Sequence, residues 1–251
     1  AGTGKELSSI VVNQTSVVIA LALSPDGNQL MAGATDGAVK VWDLATGAEL
    51  LTLAGNIGPD FGSVAFSPDG TRIATGGSND GTVKTWNAST GKEIMTLKGH
   101  TLPVYVIIFS KDGKRVATGG MDQTARIWDV TTGENLFTLA GHTASILSIA
   151  FIPDGQRLIT GSHDGTAKIW DISDGATAGQ ELLTLTGHNG WIDTVIFSPD
   201  GKHVATGSFQ DNTMRVYMLD IAELTTLARA RLTRPFTMEE CQKYLHQAVC
   251  P

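Results

Sequence analysis

The sequence predicts an all-β protein, a β-propeller built from five repeated four-stranded units. Three recurrences carry that expectation. A turn of the Ser-Pro-Asp-Gly kind stands at Ser24-Pro25-Asp26-Gly27, Ser67-Pro68-Asp69-Gly70, Ser110-Lys111-Asp112-Gly113, Ile152-Pro153-Asp154-Gly155 and Ser198-Pro199-Asp200-Gly201, at intervals of 43, 43, 42 and 46 residues. About 16 to 19 residues further on comes an aromatic pair: Trp42-Asp43, Trp86-Asn87, Trp128-Asp129, Trp170-Asp171 and a degenerate Tyr217-Met218. Gly99-His100, Gly141-His142 and Gly187-His188 precede three of the units. A period of about 40–45 residues is the length of one propeller blade. In such an array each unit buries its faces against its neighbours, so no single globular centre is needed.

The third unit shows how each element is encoded. Its first strand is the β-branched and aromatic run Val104–Phe109, and the turn at 110–113 reverses the chain into a return strand beginning at Arg115. Pro or Lys at the second turn position suits φ near −65°, and Gly ends the turn where φ must be positive. The next reversal uses Asp36-Gly37, Asp80-Gly81, Asp122-Gln123, Asp164-Gly165 or Asp211-Asn212, mostly pairs that tolerate the left-handed geometry of tight hairpins. A third strand then carries the Trp. Thr46-Gly47, Thr90-Gly91, Thr132-Gly133 and Asp174-Gly175 turn the chain into a fourth strand such as Glu93–Leu97. An extra stretch at 176–179 lengthens that turn in unit four and accounts for the 46-residue interval. The units are expected at about 5–47, 48–91, 92–133, 134–179 and 180–219, which makes 1–219 the propeller.

The ends depart from the pattern. Thr3-Gly4-Lys5-Glu6-Leu7 matches Thr90-Gly91-Lys92-Glu93-Ile94, the lead-in to a fourth strand, whereas helical signals replace that strand after Leu219. Ile221, Leu224, Leu227 and Leu232 recur near helical spacing, and Asp220 with Glu223, then Thr237 with Glu240, form capping boxes. A helical tail is therefore expected over 220–251. Residues 5–12 could complete the last blade and close a five-bladed ring; the alternative is a piece of a longer propeller, in which case self-association is expected.

Composition excludes several classes. Lys and Arg total 18 against 25 Asp and Glu, for a formal charge of −7, and no Lys/Arg block exists to meet a phosphate backbone. Nucleic acid is not an expected partner. The longest apolar run, 17–23, reads as a buried strand and falls far short of the roughly 20 residues a membrane span needs. No signal-peptide pattern opens the chain. The two cysteines, Cys241 and Cys250, lie in the tail, so the repeats rely on packing in what is expected to be the cytoplasm; pairing of the two stays open. No phosphate loop, metal-ligand cluster or nucleophilic triad stands out, and His163, His203 and His246 are scattered. No cofactor, metal or catalytic residue is expected.

The three motifs, recurring in one order and phase over 4–219, resemble the WD-repeat β-propeller family. The resemblance implies an internal hydrogen-bonded tetrad: His100, Thr118, Asp122 and Trp128 in unit three, and His142, Thr160, Asp164 and Trp170 in unit four. Their role would be structural, since a nucleophilic triad would not be needed twice. Unit one has Gln14 and Ala32 in place of the His and Thr, unit two has Asn56 for the His, and unit five has Tyr217 for the Trp, so those blades should be softer. Units two and five also carry one residue more before the turn Asp, which leaves the assignments of Thr75 and Thr206 open.

The family usually binds partners where the loops before the first strand and between the second and third strands emerge. Mapped by position, those residues are Ile19, Leu102, Tyr105, Met121, Leu147, His163, Trp191, Asp193 and Gln210, mostly apolar or aromatic, as at a protein-binding hot spot. A noncatalytic module binding a protein or peptide is thus implied, against the alternative of a small-ligand or enzymatic propeller. The ubiquitin-ligase adaptors of the family carry Arg or Lys two positions after the Trp-Asp pair, and here Ala45, Thr131 and Ser173 stand there. The segment 231–245 resembles the ending of large bacterial WD-repeat proteins with ATPase, kinase or protease domains upstream. That resemblance implies a sensing or docking end of a signalling regulator.

Overall fold

A computed structural model of the chain describes residues 9–10, 16–53, 57, 62–77 and 80–219. Among them are nineteen strands in five antiparallel sheets, each ordered as in the sequence, so every sheet is a meander. The first comprises β1 (Val18–Leu23), β2 (Gln29–Ala34), β3 (Val39–Asp43) and β4 (Glu49–Leu53); the second β5 (Ser63–Phe66), β6 (Arg72–Gly76), β7 (Val83–Asn87) and β8 (Glu93–Leu97). The third comprises β9 (Val104–Phe109), β10 (Arg115–Gly120), β11 (Thr124–Asp129) and β12 (Asn135–Ala140); the fourth β13 (Ile146–Phe151), β14 (Arg157–Ser162), β15 (Ala167–Asp171) and β16 (Glu181–Leu185). The fifth has three strands, β17 (Thr194–Phe197), β18 (His203–Ser208) and β19 (Thr213–Met218). The all-β arrangement agrees with the expectation from the repeat. The helical tail expected over 220–251 and most of the closing strand expected over 5–12 lie outside the described residues.

The turn after each first strand is locked by its own side chains. Ser67 Oγ donates to Asp69 Oδ1 at 2.6 Å and accepts from the Arg72 N–H at 2.9 Å, while Gly70 N–H donates to Ser67 O at φ +70°. Only Gly takes that φ without cost, which fixes the last residue of the motif. Unit four lacks the Ser, and Asp154 instead accepts from the Gln156 N–H and Arg157 Nε, both at 2.8 Å. Its lengthened turn folds back on the strand end, with Gly179 N–H on Asp171 O at 2.7 Å and Thr177 Oγ1 on Asp171 Oδ2 at 2.5 Å.

Successive sheets pack face to face, and the four apolar cores lie between them. One side of the second and third strands meets the next sheet: Met31, Val39 and Val41 pack with Val64, Ile73 and Trp86 of the second sheet. Ala117, Ala125 and Ile127 likewise pack with Ile146, Ile149 and Leu158. Each fully buried aliphatic side chain contributes about 1.5–3 kcal/mol. The packing needs Gly in the second strand, since a Cβ on Gly119 would lie 2.6 Å from Ile146 Cγ2 and 2.8 Å from Ile149 Cδ1. Polar links run between sheets as well. Ile107 N–H donates to Ser63 Oγ at 3.0 Å and Val195 N–H to Ser148 Oγ at 3.1 Å, while Arg115 Nη1 reaches Ile172 O at 2.6 Å.

One expectation needs correction. The apolar run at 17–23 does form strand β1, but Val17, Val18, Leu21 and Leu23 are exposed. Among the described residues no sheet covers the side of β1 that other first strands pack against a preceding sheet.

Candidate functional site

Two sets of side chains recur with the repeat, one buried and one exposed. The buried set occupies the gap between the second and third strands of a unit. In unit four, Thr160 on β14 faces β15, and its Oγ1 lies 2.7 Å from His142 Nε2 and accepts from Trp170 Nε1–H at 2.9 Å. His142 Nδ1 is 2.7 Å from Asp164 Oδ2. Burial pushes the Asp164 carboxyl up, but the Thr166 hydroxyl, the Thr143 N–H and His142 together hold it below the usual carboxylate range. Burial holds His142 below its ordinary value, against the opposing pull of Asp164. At neutral pH these directions correspond to an ionised Asp164 and a neutral His142. An ionised Asp164 can only accept, so Nδ1 carries the hydrogen; a neutral imidazole then accepts at Nε2, and the Thr160 hydroxyl donates to it.

Unit three has the same geometry, with His100 Nδ1 at 2.9 Å from Asp122 Oδ2, Nε2 at 2.7 Å from Thr118 Oγ1, and Trp128 Nε1–H donating to that oxygen at 2.9 Å. Burial again opposes ionisation of Asp122, and the His100 contact, Thr124 and the Thr101 N–H outweigh it, so the carboxyl sits well below its normal value. Unit five brings His188 to Asp211 at 2.8 Å and to Thr206 at 2.7 Å, although Tyr217 directs its hydroxyl to Thr186 O at 3.0 Å instead. In unit two Thr75 accepts from Trp86 Nε1–H at 2.9 Å. Thr75 and Thr206 therefore keep their places: the additional residue of those units falls beyond the paired part of β18 in unit five, where Thr206 still pairs with Arg215.

Sequence reasoning missed two partners of the turn carboxylate. Thr124, Thr166 and Thr213, each two residues after the Asp, donate to it at 2.8, 2.6 and 2.7 Å, and the N–H after each His donates at 3.0–3.1 Å. The recurrent Thr in Asp-x-Thr was the available signal. In units three and four the His, Thr, Asp and Trp side chains are joined in one hydrogen-bonded chain, and Thr118, Thr160 and Thr206 are shut off from solvent. Such a group can fix loops to strands.

The exposed set lies at the end of the sheets where the loop before each first strand meets the turn after the second. The two are tied together: Met121 N–H donates to Pro103 O at 2.8 Å, His163 N–H to Ser145 O at 3.0 Å, and Phe209 N–H to Asp193 Oδ2 at 2.7 Å. Trp191 N–H donates to Gln210 Oε1 at 3.2 Å, which fixes Trp191 in unit five. Its indole lies against His163 of unit four, ring centroids 4.1 Å apart and tilted 31°, yet stays 43% exposed. Leu102 and Met121 are exposed together over unit three. Of the mapped residues, Ile19, Tyr105, Leu147 and Asp193 are half-buried on or beside first strands, where the neighbouring sheets approach, while Gln210 is exposed. Phe209, exposed at the same end, was not singled out from the sequence, because nothing local distinguishes an exposed turn Phe from a packed one. Among the described residues no group of three or more His, Cys, Asp or Glu is arranged to hold a metal ion.

Comparison with protein-family models matches the model described as WD40, "WD domain, G-beta repeat", at residues 4–43, 47–87, 91–129, 133–171 and 179–217. Each match runs from the approach to a fourth strand through the next aromatic pair, the same phase as the repeat. Comparison with curated proteins gives no match.

Proposed function

The chain belongs to the WD-repeat family, five copies of whose repeat span most of its length, and on that premise we propose that it is a noncatalytic scaffold that seats a protein or peptide partner on the end carrying Trp191. Domains of this family generally mediate protein–protein interaction and are typically nonenzymatic. The observation that carries the reading is the exposed indole of Trp191, braced by His163 and by Gln210, with Phe209 exposed at the same end. A braced, half-exposed Trp loses little side-chain freedom on binding and offers a large apolar face, the character of an interface anchor. The protein's net negative charge favours partner segments with basic residues around their apolar anchor. The reading extends to a sensing or docking role within a larger signalling protein, for which the support is the resemblance of segment 231–245.

Peptides selected from a displayed random library on the immobilised protein supply the test. Loss of an anchoring Trp at about 2 kcal/mol corresponds to roughly thirtyfold weaker binding. Trp191→Ala should show that loss with an unchanged melting temperature, and Lys111→Ala, in a turn at the opposite end, should bind as the parent does. Selected peptides that bind Trp191→Ala as tightly as the parent would refute the assignment of this surface.

A further inference from the structure

The two outermost sheets expose the surfaces that the three inner sheets bury. The third residue before each turn Ser, or before Ile152 in unit four, packs against the preceding sheet: Val64, Ile107, Ile149 and Val195 are all buried, whereas Leu21, the same position in the first sheet, is 63% exposed. At the other end of the array the relation is reversed. The third-strand positions that meet the following sheet are buried in Val39, Val83, Ala125 and Ala167, and in Val41, Thr85, Ile127 and Ile169, but Met214 and Val216 of β19 are 87% and 69% exposed. Ile196 of β17 is 56% exposed where Ala22, Ala65 and Ala150 pack against a neighbouring core.

Glycine gives an independent sign. In four sheets the second strand has a Gly at the contact with the next sheet, and a Cβ there would meet that sheet at 3.4 Å for Gly33, 2.9 Å for Gly76, 2.6 Å for Gly119 and 2.8 Å for Gly161. Gly207 occupies the same register in β18, has no positive φ, and the nearest atom to its would-be Cβ is Thr194 Cβ at 3.9 Å. Among the described residues nothing fills this groove of the fifth sheet. Thr194 also places a hydroxyl where Ser63 and Ser148 accept a backbone N–H from the next sheet's first strand.

We propose that this groove receives β1 of a second copy of the chain, with Leu21 of one copy seated over Gly207 beside Met214 and Val216 of the other. The occupant is argued from the four junctions inside the chain, in each of which such a trailing face is covered by the leading face of a first strand. The chain itself carries one such leading face uncovered. Among the described residues of one chain the two faces do not cover each other, since Leu21, Ile196, Met214 and Val216 are all exposed. The contact is head-to-tail, so each copy keeps one face free and can add a further copy. It uses neither Trp191 nor the loop end, and stands apart from the proposed partner site.

Sedimentation velocity of the 251-residue chain, from low micromolar to submillimolar concentration, tests the proposal. The parent should grow in mass with concentration. Leu21→Asp and Val216→Asp each destroy one face, on exposed positions, and each alone should remain monomeric. An equimolar mixture of the two should pair into a dimer and no larger species, because each supplies the face the other retains. Ile196→Asp is a second trailing-face variant that should behave as Val216→Asp does, and unchanged circular dichroism reports folding for all three. A parent that is monomeric throughout, a single variant that associates as the parent does, or a mixture that fails to pair overturns the proposal.

Discussion

Replacing Thr160 by Val keeps the shape of the side chain and removes one oxygen, so its cost isolates what that oxygen does. Thr160 Oγ1 is fully buried and serves both His142 Nε2, at 2.7 Å, and Trp170 Nε1–H, at 2.9 Å. In the variant the imidazole acceptor and the indole donor lose their partner together, and neither can reach solvent, because His142 and Trp170 are themselves buried. A buried polar group left unsatisfied costs about 1–3 kcal/mol, so the pair should cost about 2–5 kcal/mol. For a chain of this length roughly 2–4 °C of melting temperature goes with each kcal/mol, which puts the expected fall at roughly 4–20 °C. Thr143→Val is the matched control: Thr143 is exposed and contributes only its backbone N–H to Asp164, so it should stay within about 0.5 kcal/mol of the parent. Calorimetry of parent, variant and control at neutral pH reads the difference, and urea titration followed by Trp fluorescence checks that the transition keeps its slope. A Thr160→Val protein that melts within a degree or two of the parent would refute the reasoning, since it would mean the buried contacts do not hold the loop to the strands.

Three further outcomes follow from the geometry. Gly119→Ala should cost about 1–3 kcal/mol by forcing Ile146 and Ile149 aside, while Gly207→Ala, in the same register but open, should leave the melting temperature of dilute protein unchanged. Gln123, held at φ +68° where the other units mostly use Gly, should gain up to about 1 kcal/mol on replacement by Gly, seen as a higher melting temperature. His142 is held below its ordinary value and Asp164 below its own, so the unfolded chain binds protons before the native one does. Stability is therefore complete above the unfolded His value near 6.5 and falls as pH drops below it, then again through the carboxylate range. Melting temperatures taken from pH 7 to pH 4 should decline, and His142→Asn should flatten the upper part of that decline.

Much of the fold was legible because the repeat encodes it locally. The turn Ser, Asp and Gly make their hydrogen bonds within six residues, so the motif alone placed the end of β9 and the start of β10. The insertion at 176–179 showed as a longer interval. The buried tetrad was implied by the family resemblance, which the in-phase recurrence of the motifs carried. Contacts between sheets were not legible, since they join residues of different units. Nothing in the sequence 17–23 says that β1 is uncovered on one side, for its residues are as apolar as those of β9. The stacking of Trp191 on His163 spans two units and has no local signature. Ile19, Tyr105 and Leu147 were mapped to the binding face by position, and each lies half-buried where first strands of neighbouring sheets converge. The Asp-x-Thr hydroxyls were missed for another reason: a Thr beside a turn reads as ordinary turn chemistry until its carboxylate partner is seen to be buried.

The central claim divides the recurring residues into a buried set that holds the propeller together and an exposed set that meets a partner. The measurement that tests it most directly is binding of one selected peptide, with melting temperature, to Thr160→Val and Trp191→Ala side by side. The account predicts that Thr160→Val melts lower yet binds the peptide with parental affinity below its transition, and that Trp191→Ala melts with the parent yet binds roughly thirtyfold more weakly. Loss of binding in a folded Thr160→Val, with parental binding in Trp191→Ala, would contradict it.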